Sequence, residues 1–280
     1  MKSNMKLAAL GLMALGLSAG TAVQACSLTA WSGNTGSPVT GGVANSIPTK
    51  SGVCALQAAN PGPSFVTESA NHNNEGNTTP FHGRFFVYTG LTGASPVVFR
   101  ALTTDGGPTS AIDIAYNAAT ANFTFTVNGA SQSTAASSAP NNTWVQVEFT
   151  YQQGAAFTAK TRRLGVDTNL PAGLTGGAGV VVEAVQLGVV ANGGGTGNIV
   201  IDEYEASRAA GTSPTFTTRL RGDANGDGGV SGPDIVQVVN QAANGTAALA
   251  TGQPDCNEDG GVSGPDIICV VNLAAGNGTP

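Results

Sequence analysis

Short runs in which apolar and polar residues alternate fill the chain from about residue 80 to residue 205. The run Phe81-His82-Gly83-Arg84-Phe85-Phe86-Val87-Tyr88 starts the series, with Phe85 and Val87 on one face. Ile112, Ile114 and Tyr116 alternate with polar or small residues, as do Phe123, Phe125 and Val127. Val145, Val147, Phe149 and Tyr151 form another such face, and Val180-Val181-Val182 and Ile199-Val200-Ile201 read as further strands. Period-two alternation sends every second side chain to the same side. With Gly, Asn, Thr and Pro between the runs, it predicts antiparallel β-strands, most simply a sandwich. Asn128-Gly129 is a hairpin signal, since both residues tolerate the left-handed backbone of a tight turn. No segment of this region carries a helical period.

Past residue 220 the texture changes. Asp223 opens DANGDGGVSGPDIVQVVN and Asp255 opens DCNEDGGVSGPDIICVVN; the two are offset by 32 residues and agree at 14 of 18 positions. Each places Asp, Asn, Asp, Gly and a final Asp at loop positions 1, 3, 5, 6 and 12. That is the ligand spacing of an EF-hand calcium loop, with Asp where the last ligand is usually Glu. In the first loop the expected ligands are Asp223, Asn225, Asp227, the carbonyl of Gly229, Ser231 (directly or through water) and Asp234. In the second they are Asp255, Asn257, Asp259, Gly261, Ser263 and Asp266. Gly228 and Gly260 permit the sharp turn at position 6. Val230 and Val262, at position 8, are expected to join the loops through a short strand contact. Ser231-x-x-Asp234 and Ser263-x-x-Asp266 read as N-terminal caps for two helices. The apolar residues of those helices are Ile235, Val236, Val238 and Val239, then Ile267, Ile268, Val270 and Val271.

From Gly222 onward there are seven carboxylates and no Lys, Arg or His. Six of the seven fall at loop positions 1, 5 and 12, where they repel one another unless a cation lies between them. Calcium is therefore the expected cofactor, two ions in all; magnesium prefers stricter octahedral geometry and retained water.

A full EF-hand has a helix entering its loop, whereas Ser213-Pro214-Thr215-Phe216-Thr217-Thr218 and Thr251-Gly252-Gln253-Pro254 are poor helices. A tandem of two loop–helix units resembles the type I dockerin family over about Arg221 to Asn277. The resemblance implies a module that binds two calcium ions and docks on a cohesin through its helices. Dockerins usually carry a hydroxyl or small aliphatic pair at loop positions 10 and 11, where this chain has Gly232-Pro233 and Gly264-Pro265. The tail has no aromatic residue, so its apolar core is small, and calcium is expected to supply much of its folding free energy.

At the other end, Lys2 and Lys6 precede an apolar run from Leu7 to Leu17 and then Val23-Gln24-Ala25, the order of a secretory signal peptide over residues 1–25. No other stretch approaches a transmembrane length. Loss of that segment removes two Lys and no acid, taking the net charge from −6 to −6 − 2 = −8. Such an acidic chain is a poor ligand for nucleic acid. A secreted or cell-surface location, with periplasmic transit, follows from this reading. Four cysteines fit an oxidising compartment. Cys256 and Cys269 are both present in the second repeat and both absent from the first, as expected of a bonded pair. That leaves Cys26 with Cys54, against a rival in which Cys26 is lipidated; Gln24 fits a lipobox poorly.

The expected organisation is a signal peptide (1–25), a β-sandwich (26–210), a linker (211–220) and the tandem tail (221–280). Between Phe81 and Arg208 the order of runs resembles the laminin-G or concanavalin-like jelly roll. The residues that carry the likeness are the Val127-Asn128-Gly129 hairpin, Asn142-Thr143-Trp144-Val145-Gln146-Val147-Glu148 and the late Ile201-Asp202-Glu203-Tyr204-Glu205. It implies a lectin-like domain whose relatives often bind glycans. Trp31 and Trp144 are candidate sugar-stacking rings, although a core role suits Trp144 better. A small polysaccharide-degrading hydrolase is the competing class. However, Asp202-Glu203-x-Glu205 departs from the Glu-x-Asp-x-Glu of laminarinase-type enzymes, and one face of that strand is expected to hold only Asp202 and Tyr204. Nothing marks His72 or His82 as part of a Ser-His-Asp site, and no catalytic residue is assigned. A third reading is a structural surface protein.

Overall fold

The computed structural model describes residues 28–42, 46–50, 54–69, 79–104, 106–208, 220–244 and 252–278. The expected signal peptide, residues 211–219 of the expected linker, Cys26 and His72 lie outside these residues.

Two seven-stranded sheets dominate the described chain. One runs, edge to edge, β1 (Gly33–Thr35), β4 (Ser64–Glu68), β13 (Ala184–Ala191), β6 (Val97–Leu102), β7 (Ser110–Asn117), β8 (Asn122–Val127) and β9 (Ala130–Ser133). The other runs β12 (Val166–Asn169), β11 (Thr158–Arg163), β10 (Trp144–Tyr151), β5 (Phe81–Thr92), β14 (Thr196–Arg208), β3 (Ala55–Asn60) and β2 (Val39–Gly41). Neighbouring strands pair antiparallel throughout both sheets. The helices α1 (Gly232–Asn244) and α2 (Gly264–Ala274) follow, each after an acidic loop.

Alternation builds the core. Phe85, Val87, Val145, Val147 and Phe149 of the second sheet meet Phe99, Ile112, Ile114, Phe123 and Phe125 of the first in one buried cluster. Phe99 is the hinge of its aromatic packing: its ring lies 5.6 Å from Phe85 and 5.0 Å from Phe149, centroid to centroid. Such pairs add about 0.5–1.5 kcal/mol each beyond the area they bury. The hairpin at Asn128-Gly129 forms as expected, both residues at positive φ (50° and 78°) and Val127 opposite Ala130.

Three expectations are corrected. Val180-Val181-Val182 is not a strand, because a turn places the Val180 N–H on the Gly177 carbonyl and pairing starts only at Ala184. Trp144 is buried outside the inter-sheet core. It points to the outer face of its sheet, where it gathers with Ile47, Ala55, Phe86 and Val200. Asp202 and Tyr204 do not share a face either. A bulge between Asp202 and Glu205 inserts a residue, with Glu203 at φ 49°. Asp202 therefore points outward to the Lys50 backbone N–H at 2.8 Å. Tyr204 turns inward, 6.4 Å from Phe99 and 6.0 Å from Trp31 by ring centroids.

Burial lifts all four tyrosines above their ordinary range. Desolvation leads for Tyr88, Tyr116, Tyr151 and Tyr204, and Tyr204 is moved furthest. Because the fold favours neutral phenols, their contribution is complete below pH 10.0, the ordinary value, and is lost as pH rises through the elevated native values. Absorbance titration at 295 nm should therefore show less phenolate at pH 10 in the native protein than in the unfolded chain. A second prediction concerns Gly83 of β5, where an added Cβ would lie 2.4 Å from Cζ of Phe149. Gly83→Ala should lower stability by about 1–3 kcal/mol in urea denaturation, with partial recovery when combined with Phe149→Leu.

Candidate metal centre

The two acidic loops are wired alike. In the first, Asp223 Oδ1 accepts the N–H groups of Gly226 and Asp227 (2.7 and 3.1 Å), and its Oδ2 accepts that of Gly228 at 2.9 Å. Asp234 Oδ1 accepts the Asn225 N–H at 3.0 Å, while Oδ2 accepts the N–H and hydroxyl of Ser231 at 2.8 and 3.2 Å. Offset by 32 positions, Asp255 accepts from Asp259 and Gly260 (3.1 and 2.9 Å). Asp266 likewise accepts from Asn257 at 3.0 Å, from the Ser263 N–H at 2.8 Å and from its hydroxyl at 3.3 Å. Aspartates at positions 1 and 12 thus wind each loop around its own amides, and the position-12 aspartate also caps the following helix. Gly228 and Gly260 stand at φ 92° and 90°, the left-handed turn that position 6 requires.

Three expected ligands of the second loop, Asp255, Asp259 and Asp266, lie together. Asp223, Asp234, Asp255 and Asp266 are buried, with Asp227 and Asp259 at the solvent-facing rim. One oxygen from each of Asp255, Asp259 and Asp266 lies within 4.8 Å of the others. A calcium ion about 2.3–2.6 Å from each oxygen spans that separation, so the donor set fits the ion in size and hardness. The amide oxygens of Asn225 and Asn257 each accept the N–H of the aspartate two residues on, at 2.8 and 3.0 Å, and keep a second lone pair for a cation. Carbonyl oxygens of Gly229 and Gly261 are at the expected position 7. Val230 and Val262 pack on a small cluster of Ala224, Val238, Cys256, Val270 and Leu273. The expected strand contact between them does not form: no β-bridge joins them among the described residues, because the helices bury those side chains instead.

Burial raises the Asp255 carboxyl to about 7, Asp266 and Asp259 add to the rise, and Lys50 opposes it. A buried carboxylate in such company resists ionising unless a positive charge enters.

That second loop is also where the tail meets the sandwich, a contact that the repeat pattern did not reveal. Position 4 is Gly226 in the first loop, at φ 75°, and Glu258 in the second, at φ 61°. A left-handed conformation costs a non-glycine residue about 1–2 kcal/mol. Here it turns the side chain onto the sheet. Glu258 Oε1 accepts Lys50 Nζ at 2.8 Å and Oε2 accepts the Leu164 N–H at 2.8 Å. Its backbone carbonyl accepts the Trp144 N–H at 2.9 Å. Tyr88 donates its O–H to the Asp259 carbonyl at 3.1 Å, with its ring against Gly260. Lys50 is 2% exposed and lies 5.3 Å above the Phe86 ring. The one signal available beforehand was Glu258 itself, a charged residue where the sister loop has glycine.

Cys256 and Cys269 are bonded across 13 residues, and Cys54 is also disulfide-bonded. The carboxylates that raised the hydrolase reading are engaged elsewhere: Asp202 with Lys50 and the Glu203 N–H, Glu205 with Arg84 at 2.9 Å. His82 is buried, its Nδ1 2.8 Å from Thr150 Oγ1. Val236, Val239, Ile268 and Val271 are the exposed large apolar residues of the two helices. No described helix is long and apolar enough to cross a membrane, and the disulfide fits an oxidising compartment.

No family model and no curated protein matches the chain. Among solved structures it is similar to the alginate lyase AlyC3, at 9% identity and TM-score 0.40, over 55% of this chain and 74% of that one. It is also similar to the botulinum neurotoxin serotype G binding domain, at 12% identity and TM-score 0.44, over 63% of this chain and 44% of that one. A third is the binding domain of botulinum neurotoxin DC in complex with SialylT, at 11% identity and TM-score 0.39, over 61% and 42%. This chain thus spans less than half the length of those toxin domains. At these scores the matches add nothing to the strand pairing, which carries the fold by itself.

Replacing the disulfide with the residues of the first repeat, Cys256→Ala with Cys269→Gln, should destabilise the tail by about 3 kcal/mol for a loop of this length. Limited proteolysis of the full chain should then show faster cleavage after residue 252, with the sandwich fragment persisting.

Proposed function

We propose that the chain is an exported protein in which a dockerin-like tail, loaded with two calcium ions, attaches or assembles a β-sandwich that binds a polysaccharide or surface glycan. The observation that supports the calcium reading is the matched wiring of two loops that carry six aspartates and no basic residue, with Asp255, Asp259 and Asp266 gathered in the second. Asp223, Asn225, Asp227, Gly229, Ser231 and Asp234 would hold one ion. Asp255, Asn257, Asp259, Gly261, Ser263 and Asp266 would hold the other. Calcium supplies the charge that lets these carboxylates stay ionised and close together, so its binding free energy becomes folding free energy for the tail.

Attachment is supported by the helical surface. Val236 and Val239 on α1 and Ile268 and Val271 on α2 are exposed at equivalent positions of the repeat, an i, i+3 pair on each helix. Apolar side chains held outward in a small module mark a partner surface, and a cohesin-like protein is the partner that the resemblance implies. The glycan reading rests on the sandwich end. Trp144 is fully buried, whereas Trp31 is half-buried, beside Tyr204, with Ser32 donating to Glu68 at 3.3 Å. Trp31 packs on the core beside Tyr204, and the part of its ring left to solvent is the candidate stacking surface for a sugar.

Isothermal titration of the chelator-stripped full chain should give two calcium ions, with Asp227→Asn and Asp259→Asn each losing one. Protease protection of the tail that is unchanged by chelator would overturn the reading. On an immobilised glycan panel, the full chain should be retained on one polysaccharide class and Trp31→Ala should be released. Release of reducing sugar from that polysaccharide would favour the hydrolase instead.

A further inference from the structure

Among the described residues, the second loop makes five contacts with the sandwich through Glu258, Asp259 and Gly260. They are the Glu258 carboxylate on Lys50 Nζ and the Leu164 N–H, the Glu258 carbonyl on the Trp144 N–H, the Asp259 carbonyl on the Tyr88 hydroxyl, and Gly260 against the Tyr88 ring. These residues sit between the first and last expected ligands of that loop, so the backbone that a cation must order is the backbone that the sheet holds. In the first loop the corresponding residue is Gly226, which has no side chain to offer.

We propose that the second loop is a coupling joint: calcium bound there clamps the tail to the outer face of the β5–β10 pair, and the sandwich in turn pre-forms that site. The proposal rests on the calcium reading above. Coupling of this kind is reciprocal, so whatever affinity docking adds to the second loop, calcium returns as stability of the sandwich. The Lys50–Glu258 pair is suited to the role because it is net neutral. It anchors the loop through a buried ion pair without placing an unpaired positive charge next to an incoming cation. The left-handed backbone at Glu258 is held in place by these contacts.

The two tryptophans of the chain, Trp31 and Trp144, both precede the tail, and the tail contains no aromatic residue. Tryptophan fluorescence therefore reports the sandwich, including the Trp144 face on which the second loop docks. The test compares the wild-type chain with Lys50→Met/Glu258→Gly, which keeps every expected ligand and leaves the net charge unchanged. Each protein is titrated with calcium by calorimetry and melted under fluorescence, with and without a hundredfold excess of calcium over Kd. In the wild type, calcium should raise the tryptophan-monitored midpoint by about 5–10 °C. The double variant should still take up two ions while its midpoint stays put. A second pair covers the case in which the double variant fails to fold: Asp227→Asn should keep the calcium-induced rise and Asp259→Asn should lose it. Uptake of two ions by the wild type with no rise, or an equal rise in the double variant or in Asp259→Asn, overturns the coupling alone. Absence of calcium uptake by the wild type overturns the calcium reading and the coupling with it.

Discussion

Strand β5 has to bury both of its faces. Phe81, Phe85, Val87 and Leu91 face the other sheet, while His82, Arg84, Phe86 and Tyr88 face outward, in a strand whose residues are buried almost from end to end. A strand of this kind makes the sheet unstable as an open surface, because apolar area left wet costs roughly 25 cal/mol per Å². Everything on that side follows from the need for cover. Ile47 and Lys50 close over Phe86, Trp144 fills the space beside them, and the rim is completed by backbone and carboxylate groups of an acidic loop more than 100 residues away in sequence. Polar groups suit the rim because the sheet presents donors there, the N–H of Trp144 and Leu164 and the hydroxyl of Tyr88, which need acceptors once water is removed.

The same constraint separates two loops that local chemistry makes alike. Each winds around its own aspartates by nearly the same hydrogen bonds and each caps the helix that follows. The first keeps glycine at its fourth position and draws its contacts from within the tail, where the Asp223 carbonyl accepts the Gln253 N–H. The second gives up that conformational ease for a charged side chain and is held from two directions, by the disulfide to α2 and by the sheet. Rigidity in the tail is therefore concentrated at one end, and the helical faces bearing the exposed valines and isoleucine project from a base that is fixed on one side only.

Much of this was legible because it is local. Alternation at Ile112–Tyr116, Phe123–Val127 and Val145–Tyr151 depends on neighbours two residues apart, and those strands form where the pattern puts them. The Asn128-Gly129 turn, both helix caps and the pairing of Cys256 with Cys269 are likewise short-range. What stayed hidden depends on which partner lies across a gap. Short edge strands such as β1 and β2 carry no pattern long enough to read. The mixed composition of Ala184–Ala191 conceals a central strand that owes its burial to neighbours on both sides. Trp144 was assigned to the core by its size, although the alternation of β10 sends it to the opposite face from Val145 and Val147. The bulge at Glu203 reverses the faces of Asp202 and Tyr204, and nothing within the strand announces an inserted residue. Glu258 looked like one more acid in an acidic loop until its buried partner came into view.

The four differences between the two 18-residue copies take on a meaning from this arrangement. One exchanges valine for isoleucine and changes little. Two others introduce the cysteines, and the last introduces Glu258. Every non-conservative change that separates the copies thus immobilises the second one, either against its own helix or against the sheet, and none alters an expected ligand. The second copy thus serves the tail as a foundation, while the first is held by contacts within the tail.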